Sequence, residues 1–163
     1  MYKTFIKYRS ALLVFLTHKM ALPVLKIIRR PQQFPYNIKQ LMQMDEGSLG
    51  KALGLFIIEK QLTLLPHYAR HDLKHILLQY DTTDEGEVCL QCFMLGNGHL
   101  SFPVLATVLF GMFTMPEHWG ASWKAFKRGR DATSIVNWNW FEIVPQQVQV
   151  LRANIPNLSN QRQ

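Results

Sequence analysis

The residues best equipped for chemistry stand close together: Arg70-His71-Asp72-Leu73-Lys74-His75, followed by Glu87 twelve positions after the second histidine. Histidines at i and i+4 project from one face of a helix, about 6 Å apart along its axis. That spacing lets two imidazoles converge on one cation. Asp72, one residue round from His71, is placed either to ligate directly or to orient a ligand. Glu87 is expected at the start of the next helix, and a hairpin closed by residues 81–84 would bring it back toward the histidines. Two imidazoles and two carboxylates suit zinc, with iron, manganese or cobalt also accommodated. Three protein ligands plus water leave an open, catalytic position, whereas four tight ligands favour a structural role. The competing reading is plain helix chemistry, with Asp84 and Glu87 making a D-x-x-E capping arrangement.

The remaining reactive residues carry less. Cys89-Leu90-Gln91-Cys92 is a C-x-x-C without the βαβ setting of redox motifs and without a second C-x-x-C for zinc. Both cysteines are expected to be small buried hydrophobes. His67, His99 and His118 have no evident partner in the sequence, and neither G-x-S-x-G nor a phosphate-cradling glycine loop occurs.

The elements that must position these residues read as helices. A first helix is expected from about Lys3 to Met20, with a break at Pro23 and a linker around Pro31 and Pro35. Ile38, Leu41, Met42 and Met44 predict a short helix. Ser48 is a good N-cap for Leu49, Leu53, Phe56, Ile57 and Leu62, which recur at helical spacing. Pro66 closes that segment, and a helix from His67 to Tyr80 carries the histidines. The next starts near Asp84 and ends at Gly96-Asn97-Gly98. Phe102 to Met115 is too short for a bilayer span and predicts a fully buried helix, or with Met42, Met44 and Phe56 the lining of an apolar trough. Thr114 is a plausible cap for a helix opening at Pro116. Strand alternation is missing, so the class is all-α: a single compact multi-helix domain, as 163 residues suggest. Residues 1–30 form a basic-apolar N-terminal helical segment, 31–158 the helical domain and 159–163 a tail.

The net charge of +7 sits at the front. Residues 1–44 hold eight lysines and arginines and no acid, while the rest hold ten basic and eleven acidic side chains. Apolar residues such as Leu12, Leu13, Phe15 and Leu16 lie between those charges, a pattern that suits a helix in a membrane interface better than a nucleic-acid surface. No nucleic-acid partner is therefore expected. The apolar block is short and lacks an A-x-A site, so no cleaved signal is expected. A mean hydropathy of −0.04 with only two cysteines fits a rather apolar intracellular domain.

The histidine motif, the eleven residues to Glu87, the Gly86-Glu87 pair and Gly96-Asn97-Gly98 resemble the Coq-four family of ubiquinone (coenzyme Q) biosynthesis proteins, whose signature is H-D-x-x-H, eleven residues, E. Residues Trp123 to Gly129 and Val148 to Arg152 resemble its C-terminal helices. The likeness covers about residues 36–156, while the N-terminal quarter and the short length mark a divergent member. The resemblance implies an all-helical fold, a divalent metal, usually zinc, on His71, Asp72, His75 and Glu87, and peripheral membrane association. It also implies removal of the ring carboxylate at C1 of a polyprenylated hydroxybenzoate, a metal-dependent carbon–carbon lyase reaction. The alternative is a non-catalytic prenyl-lipid-binding scaffold that organises other quinone-biosynthesis proteins. Expected partners are a prenylated quinone precursor or other long-chain lipid, the membrane surface and a second copy in a homo-oligomer. The expected place is the cytoplasmic face of the inner membrane in a bacterium, or the matrix side of the mitochondrial inner membrane in a eukaryote.

Overall fold

Polar side chains ahead of apolar runs start three of the helices. Asn37 caps α1 (Ile38–Met42) by accepting from Gln40 N at 2.9 Å, and the Gln40 side chain accepts from Asn37 N at 2.8 Å. Ser48 caps α2 (Leu49–Glu59) through Lys51 N. Thr83 caps α4 (Asp84–Gly96) through Gly86 N. Each satisfies a backbone donor that the first helical turn leaves without a partner. The other helices are α3 (Ala69–Leu78), α5 (Phe102–Thr114), α6 (Trp119–Asp131) and α7 (Val148–Ala153), with a 3-10 turn at Pro116–His118. The computed structural model describes residues 32–155 together with Tyr8, Arg9, Ala11 and Leu12. Among the described residues the fold is all-α, with no strand. Those four early residues are helical, but the rest of the expected 1–30 segment, and the 159–163 tail, lie outside the described residues.

The helices fall into two compact units. One unit takes residues 32–80 and 132–155 and holds α1, α2, α3 and α7. Its core is Leu41, Leu49, Leu53, Ile57, Leu73, Leu77, Val144 and Leu151, all buried. The half-buried Met44 and Met42 lie over Gly50 and Gly54 of α2. The segment before α7 runs against the start of α2: Leu49 N donates to Gln146 O at 2.8 Å and Gly50 N to Val144 O at 2.7 Å. Arg152 of α7 donates to the carbonyls of Ile76 and Leu77, at 2.7 and 3.2 Å. Those carbonyls belong to the last turn of α3, which has no intrahelical donors left for them. Arg152→Gln is expected to lower stability by about 1–2 kcal/mol, measured as a shift of the urea midpoint at unchanged slope.

The other unit holds α4, α5, the 3-10 turn and α6. Two glycines let α4 and α6 approach closely. A Cβ on Gly129 would collide with the Phe93 carbonyl, and one on Gly96 with the Phe126 carbonyl. Asn97 Nδ2 donates to Gly129 O at 3.0 Å, and the Arg128 guanidinium lies 5.3 Å from the centre of the Phe93 ring. On α5, Gly111 lies against Val88 of α4. Arg9 donates to Thr114 O at 3.1 Å and pairs with Glu117, holding that carboxyl below its usual range. His118, partnerless in the sequence, lies 3.1 Å from Glu85.

Residues 132–147 form turns and bends that lead into α7. Two expectations need correction here. Thr114 does not cap the Pro116 turn, because its hydroxyl donates back to Phe110 O at 2.7 Å. And α5 is not fully buried. Val104, Thr107, Val108 and Gly111 face inward, while Phe102, Leu105, Leu109, Met112 and Phe113 stay exposed. An apolar run on a short helix predicts burial on average but not which face lacks a neighbour.

Cys89 and Cys92 are buried and free, as the missing partner motifs implied. Burial is the main cause that raises the Cys92 thiol to about 11, with Cys89 adding to it. Between the ordinary thiol range and about 11, the unfolded chain has lost this proton while the folded chain keeps it. Stability is therefore whole below the unfolded value and falls as pH rises toward about 11. Denaturation midpoints across pH 8–11 are expected to drop less steeply in Cys92→Ala than in the unsubstituted protein.

Candidate functional site

On α3, Ala69, Leu73 and Leu77 recur at i, i+4 and i+8 and form the stripe that packs into the core of its unit. His71 and His75 lie roughly opposite that stripe at 100° per residue. Arg70 and Lys74 occupy an intermediate face and rest on aromatic rings from the irregular C-terminal segment. The Arg70 guanidinium is 5.5 Å from the Phe141 ring centre, and the Lys74 ammonium is 5.6 Å from that of Trp140. Burial first, and Arg70 second, push Lys74 down to about 8. Burial also pushes the Tyr68 phenol, just ahead of the helix, up to about 12.

The helix ends at Gln79, which takes the left-handed conformation at φ 61°. That residue turns the chain so that Tyr80 O comes within 3.0 Å of His75 Nδ1. A carbonyl only accepts, so Nδ1 is the donor and neutral His75 presents the lone pair of Nε2. That lone pair faces His71 Nε2 at 3.0 Å, with the rings edge to face at 4.6 Å and 82°. His75 is 2% exposed and His71 half-buried. A backbone carbonyl fixing the far nitrogen of an imidazole is the usual support of a histidine metal ligand. A separation of 3.0 Å also suits two nitrogens each about 2.0–2.1 Å from one cation at roughly a right angle. The histidine pair therefore fits a metal.

The structure brings His71 and His75 together as their spacing predicts. Asp72 is half-buried in the first turn of α3, about 100° round from His71. Glu87 belongs to the other unit, in the first turn of α4, and a five-residue connection joins α3 to α4. The capping alternative for Glu87 fails. Thr83 is the N-cap, so the third helical position falls on Gly86 and Glu87 lies one residue beyond it. Gly86 has its own reason: any side chain there would run into Asp81, whose carboxylate accepts from Thr83 N at 3.0 Å. Sequence reasoning missed Tyr80, which acts through its backbone, and the ring partners Trp140 and Phe141. Aromatic residues 66–71 positions downstream of Arg70 and Lys74 carry no local signal of that pairing.

An all-helical chain with two facing imidazoles on one helix and a carboxylate in the first turn of the next defines a candidate helical metalloprotein. The particular family follows from its sequence. The chain belongs to the coenzyme Q (ubiquinone) biosynthesis protein Coq4 family, whose model matches residues 65–158 and so contains His71, Asp72, His75 and Glu87. Its fold is similar to the crystal structure of a proposed ubiquinone biosynthesis protein from Nostoc punctiforme PCC 73102. The two are 20% identical, with a TM-score of 0.58 over 93% of this chain and 86% of that one. No curated protein matches the sequence. Among the described residues, no helix is long and apolar enough to cross a membrane.

Proposed function

We propose that this protein is a metal-dependent, peripheral-membrane enzyme of ubiquinone biosynthesis. In this reading it removes the C1 carboxylate of a polyprenylated hydroxybenzoate precursor as carbon dioxide. Family membership over the motif-bearing region supports the pathway, and the facing imidazoles of His71 and His75 carry the metal reading. His71, His75 and Glu87 would hold the cation, with Asp72 as a fourth ligand or as the group that orients His71. A bound divalent cation supplies stabilisation of negative charge developing on a phenolate or carboxylate oxygen. Tyr80 O keeps the proton on His75 Nδ1 and so keeps Nε2 a ligand. Gln79 sets the turn that holds Tyr80 there. Lys74 and Arg70, held against Trp140 and Phe141, keep positive charge on a different face of α3 from the imidazoles. The prenyl tail of the substrate would reach the protein from the bilayer, where other enzymes of the pathway are also expected.

The test is release of labelled carbon dioxide from a carboxyl-labelled polyprenyl hydroxybenzoate presented in vesicles. Release by the purified protein, and a fall of at least about 100-fold in His71→Ala, is the expected result. Metal-loaded protein that releases no label overturns the enzymatic reading in favour of the prenyl-lipid scaffold.

A further inference from the structure

The exposed side of α5 is apolar along its whole length. Phe102, Leu105, Leu109, Met112 and Phe113 fall within about 100° of one another around the helix, a stripe roughly 16 Å long. Their exposures run from 42% at Leu105 to 81% at Phe113. The stripe continues onto α6. Trp119 Nε1 donates to Met112 O at 2.9 Å, which fixes the indole beside the last turn of α5 while leaving it 56% exposed. One helical turn on, Trp123 is equally exposed and stacks on Phe126, with Lys127 Nζ 5.4 Å from its ring centre. Lys124, Lys127 and Arg130 are exposed on the same helix. Of the two acids at its ends, Glu117 is paired with Arg9 and Asp131 with Arg130.

We propose that this face, the α5 stripe with Trp119 and Trp123 and the α6 lysines, inserts into the interface of an anionic lipid bilayer. A contiguous apolar stripe, indoles at its edge and a fringe of lysine and arginine are what a lipid interface accepts: acyl chains take Phe and Leu, the headgroup level takes Trp, and anionic lipid takes the cations. The exposed cations decide among occupants, because two copies of this face would bring like-charged Lys124 and Lys127 together. The inference deepens the membrane association in the proposed function but does not depend on the metal, since no histidine of the motif belongs to this face. It also moves the membrane contact beyond the basic N-terminal quarter where the sequence alone places it.

The experiment is co-sedimentation of the full chain, with and without chelator, on phosphatidylcholine vesicles and on equimolar phosphatidylcholine–phosphatidylglycerol vesicles. Expected are binding to the anionic vesicles with or without chelator, a blue shift of tryptophan emission, and at least 10-fold weaker partition in Phe102→Ser/Phe113→Ser. Lys127→Glu/Arg130→Glu is expected to weaken binding to the anionic vesicles alone. Both variants alter exposed side chains, and circular dichroism checks that each is folded. No binding by the unsubstituted chain overturns the proposal, as does equal binding by folded Phe102→Ser/Phe113→Ser. A folded apolar variant that turns a dimer into a monomer by light scattering overturns it too, in favour of a second copy on this face. Vesicle binding that survives chelation, with no metal in the protein as purified, sinks the metal centre and leaves this surface standing.

Discussion

Protein purified without chelator or added metal is expected to carry close to one divalent cation per chain, and His75→Ala close to none. The effect should be large because His75 is the better buried and better supported of the two imidazoles. Tyr80 O fixes its tautomer, and its Nε2 already lies 3.0 Å from that of His71. Losing such a ligand removes both a bond to the cation and the group that places the second histidine. Elemental analysis by mass spectrometry reads the result, with helicity by circular dichroism to show that the variant is folded. Asp72→Asn separates the two roles open to that residue. An orienting carboxylate costs about 10–100-fold in metal affinity when removed, whereas a direct ligand takes the metal with it. Absence of metal from folded protein of both kinds would reduce the motif to helix surface chemistry.

Replacing Gly129 should do comparable damage to the fold. The Cβ of Gly129→Val would run into the Phe93 carbonyl, a backbone group that cannot swing aside as a side-chain tip can. α4 and α6 would have to separate, weakening the Asn97 hydrogen bond to Gly129 O and the seat of Arg128 on Phe93. Overpacking at a buried contact costs about 1–3 kcal/mol, and a clash with backbone belongs at the top of that range or beyond it. Gly129→Val is therefore expected to lose about 3 kcal/mol or more, read as a fall in the urea midpoint or as failure to fold. Gly120 is the contrast. A Cβ there meets nothing within 4 Å, so Gly120→Ala should leave stability unchanged or raise it by up to about 1 kcal/mol.

What the sequence made legible was local. The i, i+4 spacing of His71 and His75 is enforced by helix geometry alone, and the structure pairs them. Ser48 lies next to the run it caps, and the all-α class follows from periodicity present in nearly every segment. What it hid depends on partners distant along the chain. Arg152 completes the end of α3 across some 75 positions, and nothing beside it announces that task. Gly96 and Gly129 look like ordinary helix glycines until α4 and α6 are laid together. The α5 run shows the limit most plainly: its composition implies burial, yet among the described residues Val104, Thr107, Val108 and Gly111 are buried while Phe102, Leu105, Leu109, Met112 and Phe113 are exposed. The one-residue shift of the α4 cap, from Asp84 to Thr83, had the greatest effect on the site, because it frees Glu87 from the capping role that the spacing allowed.

The backbone pairing of residues 144–148 with the start of α2 fixes an order of assembly. Those hydrogen bonds join positions about a hundred residues apart, so closing that loop must wait until nearly the whole described chain has been synthesised. The Phe93–Gly129 approach needs far less chain. On the ribosome, α4 to α6 can therefore collapse while α2 and α3 still wait for their last segment. The histidine helix, completed by Arg152 only at that final step, would be among the last parts of the protein to become rigid, and the two imidazoles would meet a cation only in a chain that is almost finished.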